Sequence, residues 1–223
     1  MRILGRSRNL GSSTDSTLPK KIDNEAGKPR RRRRKPEVAE SEILEAAENF
    51  LRDHPFRELT IDDVMSRTGL SRPSFYEYFR DRHHLVMKLT EQLTHSTYTR
   101  SESWLGGSDL AQDLRATLEG VVELYVTRGH LLRALADAAT HDPQAELYYR
   151  KMMTAFIDAT AARIREGVER GVIKGLDAEQ VATALVFMNE GYLIEKLGSH
   201  PQTDPKVVAD TLLLIWQRVL YPA

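Results

Sequence analysis

The chain contains no cysteine, which excludes a disulfide scaffold, thiolate zinc sites and a cysteine nucleophile. It also lacks long apolar runs. The longest, Val181 to Met188 and Leu212 to Trp216, fall well short of the roughly 18 residues that a spanning helix needs. Near the N-terminus there are basic residues but no apolar segment of the kind a signal peptide carries. No membrane partner is therefore expected, and a cytoplasmic location is. Period-two alternation is scarce, so no sheet is expected. There is no glycine-rich phosphate loop and no nucleophile elbow. The seven histidines (54, 83, 84, 95, 130, 141 and 200) show no metal-ligand spacing. An enzyme is not indicated, and neither a metal nor a cofactor is expected.

What is present is charge, and its total misleads. The 223 residues hold 32 Lys+Arg against 32 Asp+Glu, a zero that argues superficially against nucleic acid as a partner. Residues 1–37 carry twelve basic and four acidic groups, whereas residues 38–223 carry twenty and twenty-eight. The basic excess is the run Arg30-Arg31-Arg32-Arg33-Arg34-Lys35. Residues 1–35 have no periodic apolar pattern to offset chain entropy and read as a disordered basic arm. Such an arm is either a DNA-contacting device or a solvated tail.

From Pro36 onward the pattern is helical. Ile43, Ala47, Phe50 and Leu51 make one apolar face, ending near His54 because Pro55 disfavours helix at the residue before it. Thr60 and Asp63 form a capping-box-like start for a short helix over Ile61, Val64 and Met65, which Gly69 terminates. Ser71 caps a second short helix, with Pro73 in its first turn, running through Phe75, Tyr76 and Phe79. Two short helices around a glycine turn are a helix-turn-helix. Asp81 is the expected N-cap of a long helix bearing Leu85, Val86, Leu89 and Leu93. Further helices are expected near 109–128, 131–140, 143–170, 177–197 and 204–221, with breaks at Gly106-Gly107, Gly129, Pro143, Gly171 to Gly175, Gly198 and Pro201. The fold class is all-α, a three-helix head on a larger helical body.

The stretch Thr60 to Leu85, with Gly69-Leu70-Ser71 followed by Phe75-Tyr76-x-Tyr78-Phe79, resembles the DNA-binding domain of the TetR family. That resemblance implies division into the arm (1–35), a DNA-binding head (36–84) and a ligand-binding and dimerisation body (85–223). A recognition helix enters the major groove by its N-terminal end, which puts Ser71, Arg72, Pro73 and Ser74 nearest the base edges. Arg72 is the one side chain there able to contact guanine bidentately. Thr60, at a helix N-terminus, is suited to a phosphate. By resemblance, Tyr76 and Tyr78 are the family's aromatics, with Tyr76 on phosphate, while Phe75 and Phe79 pack inward. Arg82 stands where the family has Lys, which implies a retained phosphate contact.

Within the family, Ala182 to Glu190, Ala145 to Tyr148 and Leu214 to Trp216 resemble the EthR-type branch, whose body holds an apolar tunnel with an asparagine anchor. The implied tunnel wall is Leu114, Leu118, Val121, Val122 and Tyr125, then Tyr148, Met152 and Phe156, with Asn189, Tyr192 and Trp216 completing it. An aromatic and methionine stripe at helical spacing is equally the mark of a core. The last helix is apolar on nearly every side, which calls for burial and suits a dimer interface. The expected protein is a homodimeric repressor on a palindromic double-stranded DNA operator, released by an apolar small-molecule effector. The rival is a non-sensing architectural DNA-binding protein driven by the arm.

Overall fold

A computed structural model describes residues 36–91 and 110–221. The basic arm, Leu93 and the break at Gly106-Gly107 lie outside the described residues. Among those described, every regular element is helical.

Helix α1 (Pro36–Asp53) turns Ala39, Ile43, Ala46, Ala47, Phe50 and Leu51 inward. After Pro55, a single 3-10 turn (Phe56–Glu58) leads to α2 (Ile61–Ser66). The Thr60 hydroxyl accepts from the Asp63 backbone N–H at 3.1 Å and donates to its carboxylate, so the capping pair forms as its spacing predicts. Helix α3 (Arg72–Phe75) is shorter than the sequence suggests, because residues 76–78 continue only as turns. Helix α4 begins at 82, where Asp81 accepts from the His84 N–H at 2.9 Å, and is described to residue 91. Phe75 and Phe79 are fully buried with Ile43, Leu51, Leu59, Val64 and Leu85.

The body comprises α5 (Leu110–Ala139), α6 (Pro143–Glu169), α7 (Ala178–Leu197) and α8 (Pro205–Leu220). Asp142-Pro143 and Asp204-Pro205 start their helices alike. The Asp side chain caps the first N–H groups, and proline sits where no N–H is needed. Helix α6 ends in a Schellman motif: Gly171 at φ 72° donates to the Val168 carbonyl, and the Val172 N–H reaches Gly167. The central helix α5 packs on α6, α7 and α8 and also reaches α1 in the head.

The break expected at Gly129 is absent, because α5 runs unbroken through it. The glycine serves close packing instead. A Cβ there would lie 2.8 Å from the Leu197 carbonyl oxygen at the end of α7.

His130, on α5 against α1, is buried. Burial, with Arg52, Arg128 and Arg133 adding to it and Glu48 opposing, pushes its imidazole down to about 4. An unfolded histidine takes its proton near 6.5. Between those values the unfolded chain binds more protons, so stability falls as pH drops from about 6.5 towards 4. Denaturant unfolding of the wild type should lose about 2 kcal/mol between pH 7 and pH 5 through this group. His130→Gln should flatten that interval, and an unchanged pH slope in the variant would refute the assignment.

Candidate functional site

At the head, two helix N-termini are joined. Arg72, the first residue of α3, donates from Nη1 to the Asp62 carboxylate of α2 at 2.5 Å. Its Nη2 lies 3.5 Å from the Tyr76 hydroxyl, one turn further along. Ser71 and Ser74 share a hydroxyl contact at 2.9 Å. Ser71, Arg72, Pro73 and Tyr76 are exposed, while Ser74 and Tyr78 are partly so. Ser71 with Ser74 and Arg72 with Tyr76 are thus brought together, whereas Tyr78 packs in part against the core. Thr60 sits at the N-terminus of α2, but its hydroxyl is engaged by Asp63.

Two further arginines are engaged within the chain. The Arg82 Nη1 donates to the carbonyls of Leu59 (3.0 Å), Arg57 (3.2 Å) and Phe56 (3.4 Å), and the guanidinium lies over the Phe56 ring. It braces the turn that leads into α2. Arg80 points to the body: its Nε donates to Asp81 at 2.5 Å, its Nη2 to Asp142 at 3.2 Å, and its Nη1 to Gln144. Asp142 is also the N-cap of α6, so one guanidinium ties the head to the start of a body helix. Asp81, His83 and Asp142 place ligand atoms within 4.8 Å of one another. The cation already bridging those two carboxylates is Arg80.

In the body, the eleven nominated wall residues form packed structure. Leu114, Leu118, Val122, Tyr125 and Trp216 are core. Val121, Tyr148, Met152 and Tyr192 pack against that core, and Phe156 and Asn189 are partly buried. The Asn189 side-chain oxygen accepts from the Trp216 indole N–H at 2.9 Å, so its polar partner is supplied across α7 and α8. An open groove on the outer side of α6, lined by Arg150, Lys151, Thr154, Ala155, Asp158 and Ala159, contains none of the eleven.

One polar pair escaped the sequence reading. Tyr149 donates to Glu190 at 2.8 Å between α6 and α7. Burial raises the Glu190 carboxyl, against the Tyr149 hydrogen bond, and raises the phenols of Tyr125 and Tyr149 well above their usual range. Only the adjacency of Glu190 to Asn189 hinted at it.

The last two helices carry exposed apolar side chains. Phe187 on α7, and Val207 and Leu214 on α8, are each about half exposed. Gly191, one turn beyond Phe187, is exposed, and a Cβ there would meet nothing within 4 Å.

Comparison with known proteins places these features. The family model for bacterial regulatory proteins of the tetR family matches residues 43–89, and that for the EthR C-terminal domain matches residues 114–222. The transcriptional regulator EthR of Mycobacterium tuberculosis (strain ATCC 25618 / H37Rv) is 31% identical over 185 residues, covering 80% of this chain and 85% of its own. The chain belongs to the TetR family, in its EthR-like branch. Members of this family are DNA-binding transcriptional regulators and not enzymes.

Two solved structures share the TetR fold at low identity. NalD, secondary repressor of the MexAB-OprM multidrug efflux pump of Pseudomonas aeruginosa, superposes with a TM-score of 0.66 at 19% identity, covering 83% of this chain and 97% of its own. A transcriptional regulator from Saccharomonospora viridis, solved with choline, gives 0.66 at 18%, covering 84% and 100%.

Proposed function

We propose that this TetR-family regulator is a homodimeric, effector-responsive repressor. The observation that carries this is the exposed group Ser71, Arg72, Pro73 and Tyr76, in a head coupled to a body whose α7 and α8 leave apolar side chains uncovered. Residues 36–84 are the DNA-binding head and 85–223 the ligand-binding and dimerisation body, with α4 shared across that division; residues 1–35 are the basic arm. Two heads on a dimer would enter successive major grooves about 34–36 Å apart. Ser71, Arg72, Pro73 and Ser74 meet the base edges, while Thr60, through its helix N-terminus, Tyr76 and Tyr78 meet the backbone. Arg82 acts by holding the turn before α2. Gly191 supports the dimer, because a mid-helix glycine costs about 0.5–1 kcal/mol relative to alanine and an exposed one leaves room for a close partner helix.

The effector is an apolar small molecule held among the eleven wall residues. They are closed in the conformation described, so the effector selects an opened body. The Arg80 bridge to Asp142 and Gln144 is the route by which that opening moves the head. Regulators of this family bind DNA and small-molecule effectors and act as dimers, which supports both assignments.

The test is sedimentation together with footprinting on the chain's own promoter region. A dimer protecting a near-palindrome is expected, with lower transcription when the protein is present. A chain that stays monomeric at micromolar concentration and protects nothing there overturns the proposal. Arg80→Ala should leave operator affinity within a few-fold of wild type but diminish the loss of affinity that effector causes. An undiminished effector response would remove the bridge from the mechanism. Arg72→Ala should relax specificity at one base pair by about 1–3 kcal/mol, read by competition between operator variants. An equal loss on operator and random DNA would refute base readout.

A further inference from the structure

We propose that Asp62 is a specificity-determining positioning residue: from the first turn of α2 it holds the Arg72 guanidinium in the pose that reads a guanine. This rests on the assignment of Arg72 to the base edges made above.

Asp62 is not the cap of its own helix, to which it adds only the modest benefit of an acid in the first turn. The cap of α2 is made by Thr60 and Asp63, and Arg72 is the hydrogen-bonding partner of Asp62 among the described residues. Its side chain is 72% exposed, beside two helix N-termini that otherwise favour phosphate. The head is already acidic, with ten Asp+Glu against seven Lys+Arg over residues 38–90. A further carboxylate on this edge weakens attraction to any DNA, whatever its sequence. A selective benefit at the base edges would offset that loss.

The geometry supplies that benefit. Asp62 holds Nη1 at 2.5 Å, and the Tyr76 hydroxyl lies 3.5 Å from Nη2, so neighbours on α2 and just past the end of α3 orient the guanidinium plane. A guanidinium has five N–H donors. Two so engaged leave three, and a bidentate contact to guanine O6 and N7 takes two. Holding the side chain beforehand removes rotamer freedom that would otherwise be lost on binding. Where guanine is absent, the carboxylate and an unsatisfied guanidinium both count against binding. Asp62 thus lowers affinity for every duplex and raises the ratio of correct to incorrect.

The test uses the full chain and duplexes selected from a randomised pool by the wild-type protein. Affinity is measured for the selected site, for that site with each guanine replaced in turn, and for random duplex. For Asp62→Ala, the preference for guanine at the Arg72 position should fall about tenfold, while binding to random duplex tightens by a few-fold. Asp62→Asn, which keeps the shape and can still accept from Arg72, should lie between. In an Arg72→Ala background, Asp62→Ala should leave the base preference unchanged.

A uniform change on all duplexes, or a preference altered equally without Arg72, overturns the proposal. If Arg72→Ala costs base preference and Asp62→Ala does not, the proposal fails and the Arg72 assignment stands. If Arg72→Ala costs none, that assignment falls and the proposal falls with it.

Discussion

Leu214→Glu is expected to give a folded monomer that binds operator DNA at least about a hundredfold more weakly than the wild type. Leu214 lies on the outward face of α8 and is 56% exposed in the single chain. The substitution should therefore change monomer stability by no more than about 0.5 kcal/mol, as for other surface changes. In a two-fold dimer the same side chain contributes from both protomers. Losing the burial of the exposed part of two leucines removes about 2–3 kcal/mol, and two carboxylates must be desolvated as well. The operator then meets single heads, and the advantage of binding the second half-site intramolecularly is lost. Leu147 on α6, 54% exposed, is the matched control. Leu147→Glu should leave both dimer and operator affinity as they were. Sedimentation and operator titration read the outcome. A Leu214→Glu chain that remains dimeric at micromolar concentration would show that the interface lies elsewhere.

The need to cover α8 is legible in the sequence, and the side left open is not. An apolar last helix with Val207 and Leu214 among its residues calls for cover on several sides, but which side the chain itself covers emerges only when Val208, Leu212, Leu213 and Trp216 pack inward. The head is the more readable part. Thr60 and Asp63 at the start of α2 and Asp81 capping α4 act within a few residues of themselves, and short-range geometry follows from spacing; Phe75 and Phe79 are legible as core from their apolar character and helical spacing. Arg80 and Arg82 are not readable in that way. Their charge suggests phosphate, yet the partners that decide their direction are up to 64 residues away. Asn189 is similar, since the indole that satisfies its oxygen lies 27 residues on. For Leu114, Leu118 and Tyr125, periodicity identifies an inward face but cannot distinguish a core from the wall of a cavity.

Gly129→Ala is expected to destabilise the chain by about 1–2 kcal/mol, although alanine is the better helix former. Gly129 is interior to α5 and gains about 1 kcal/mol of helix propensity on replacement. Against that stands steric overlap with backbone. The new Cβ would sit 2.8 Å from the Leu197 carbonyl oxygen and 3.2 Å from the Gly198 Cα. Neither neighbour can easily yield. The Leu197 carbonyl accepts from the Gln202 side-chain amide at 2.8 Å, and the same amide donates to Val126 of α5 at 3.1 Å, so one side chain pins the two helix backbones together. Gly198 is held as well, since its N–H donates to the Ile194 carbonyl at 2.9 Å. Forcing α5 away from α7 costs about 1–3 kcal/mol as overpacking, with the upper end expected because both obstacles are main chain. Gly120, nine residues earlier on the same helix, isolates the cause. A Cβ there meets nothing within 4 Å, so Gly120→Ala should stabilise by about 0.5–1 kcal/mol. The two variants make the same chemical change in one helix and should shift the unfolding midpoint in opposite directions. If Gly129→Ala matched or exceeded the wild type in stability, close approach would not explain the glycine, and the unbroken α5 would need another account.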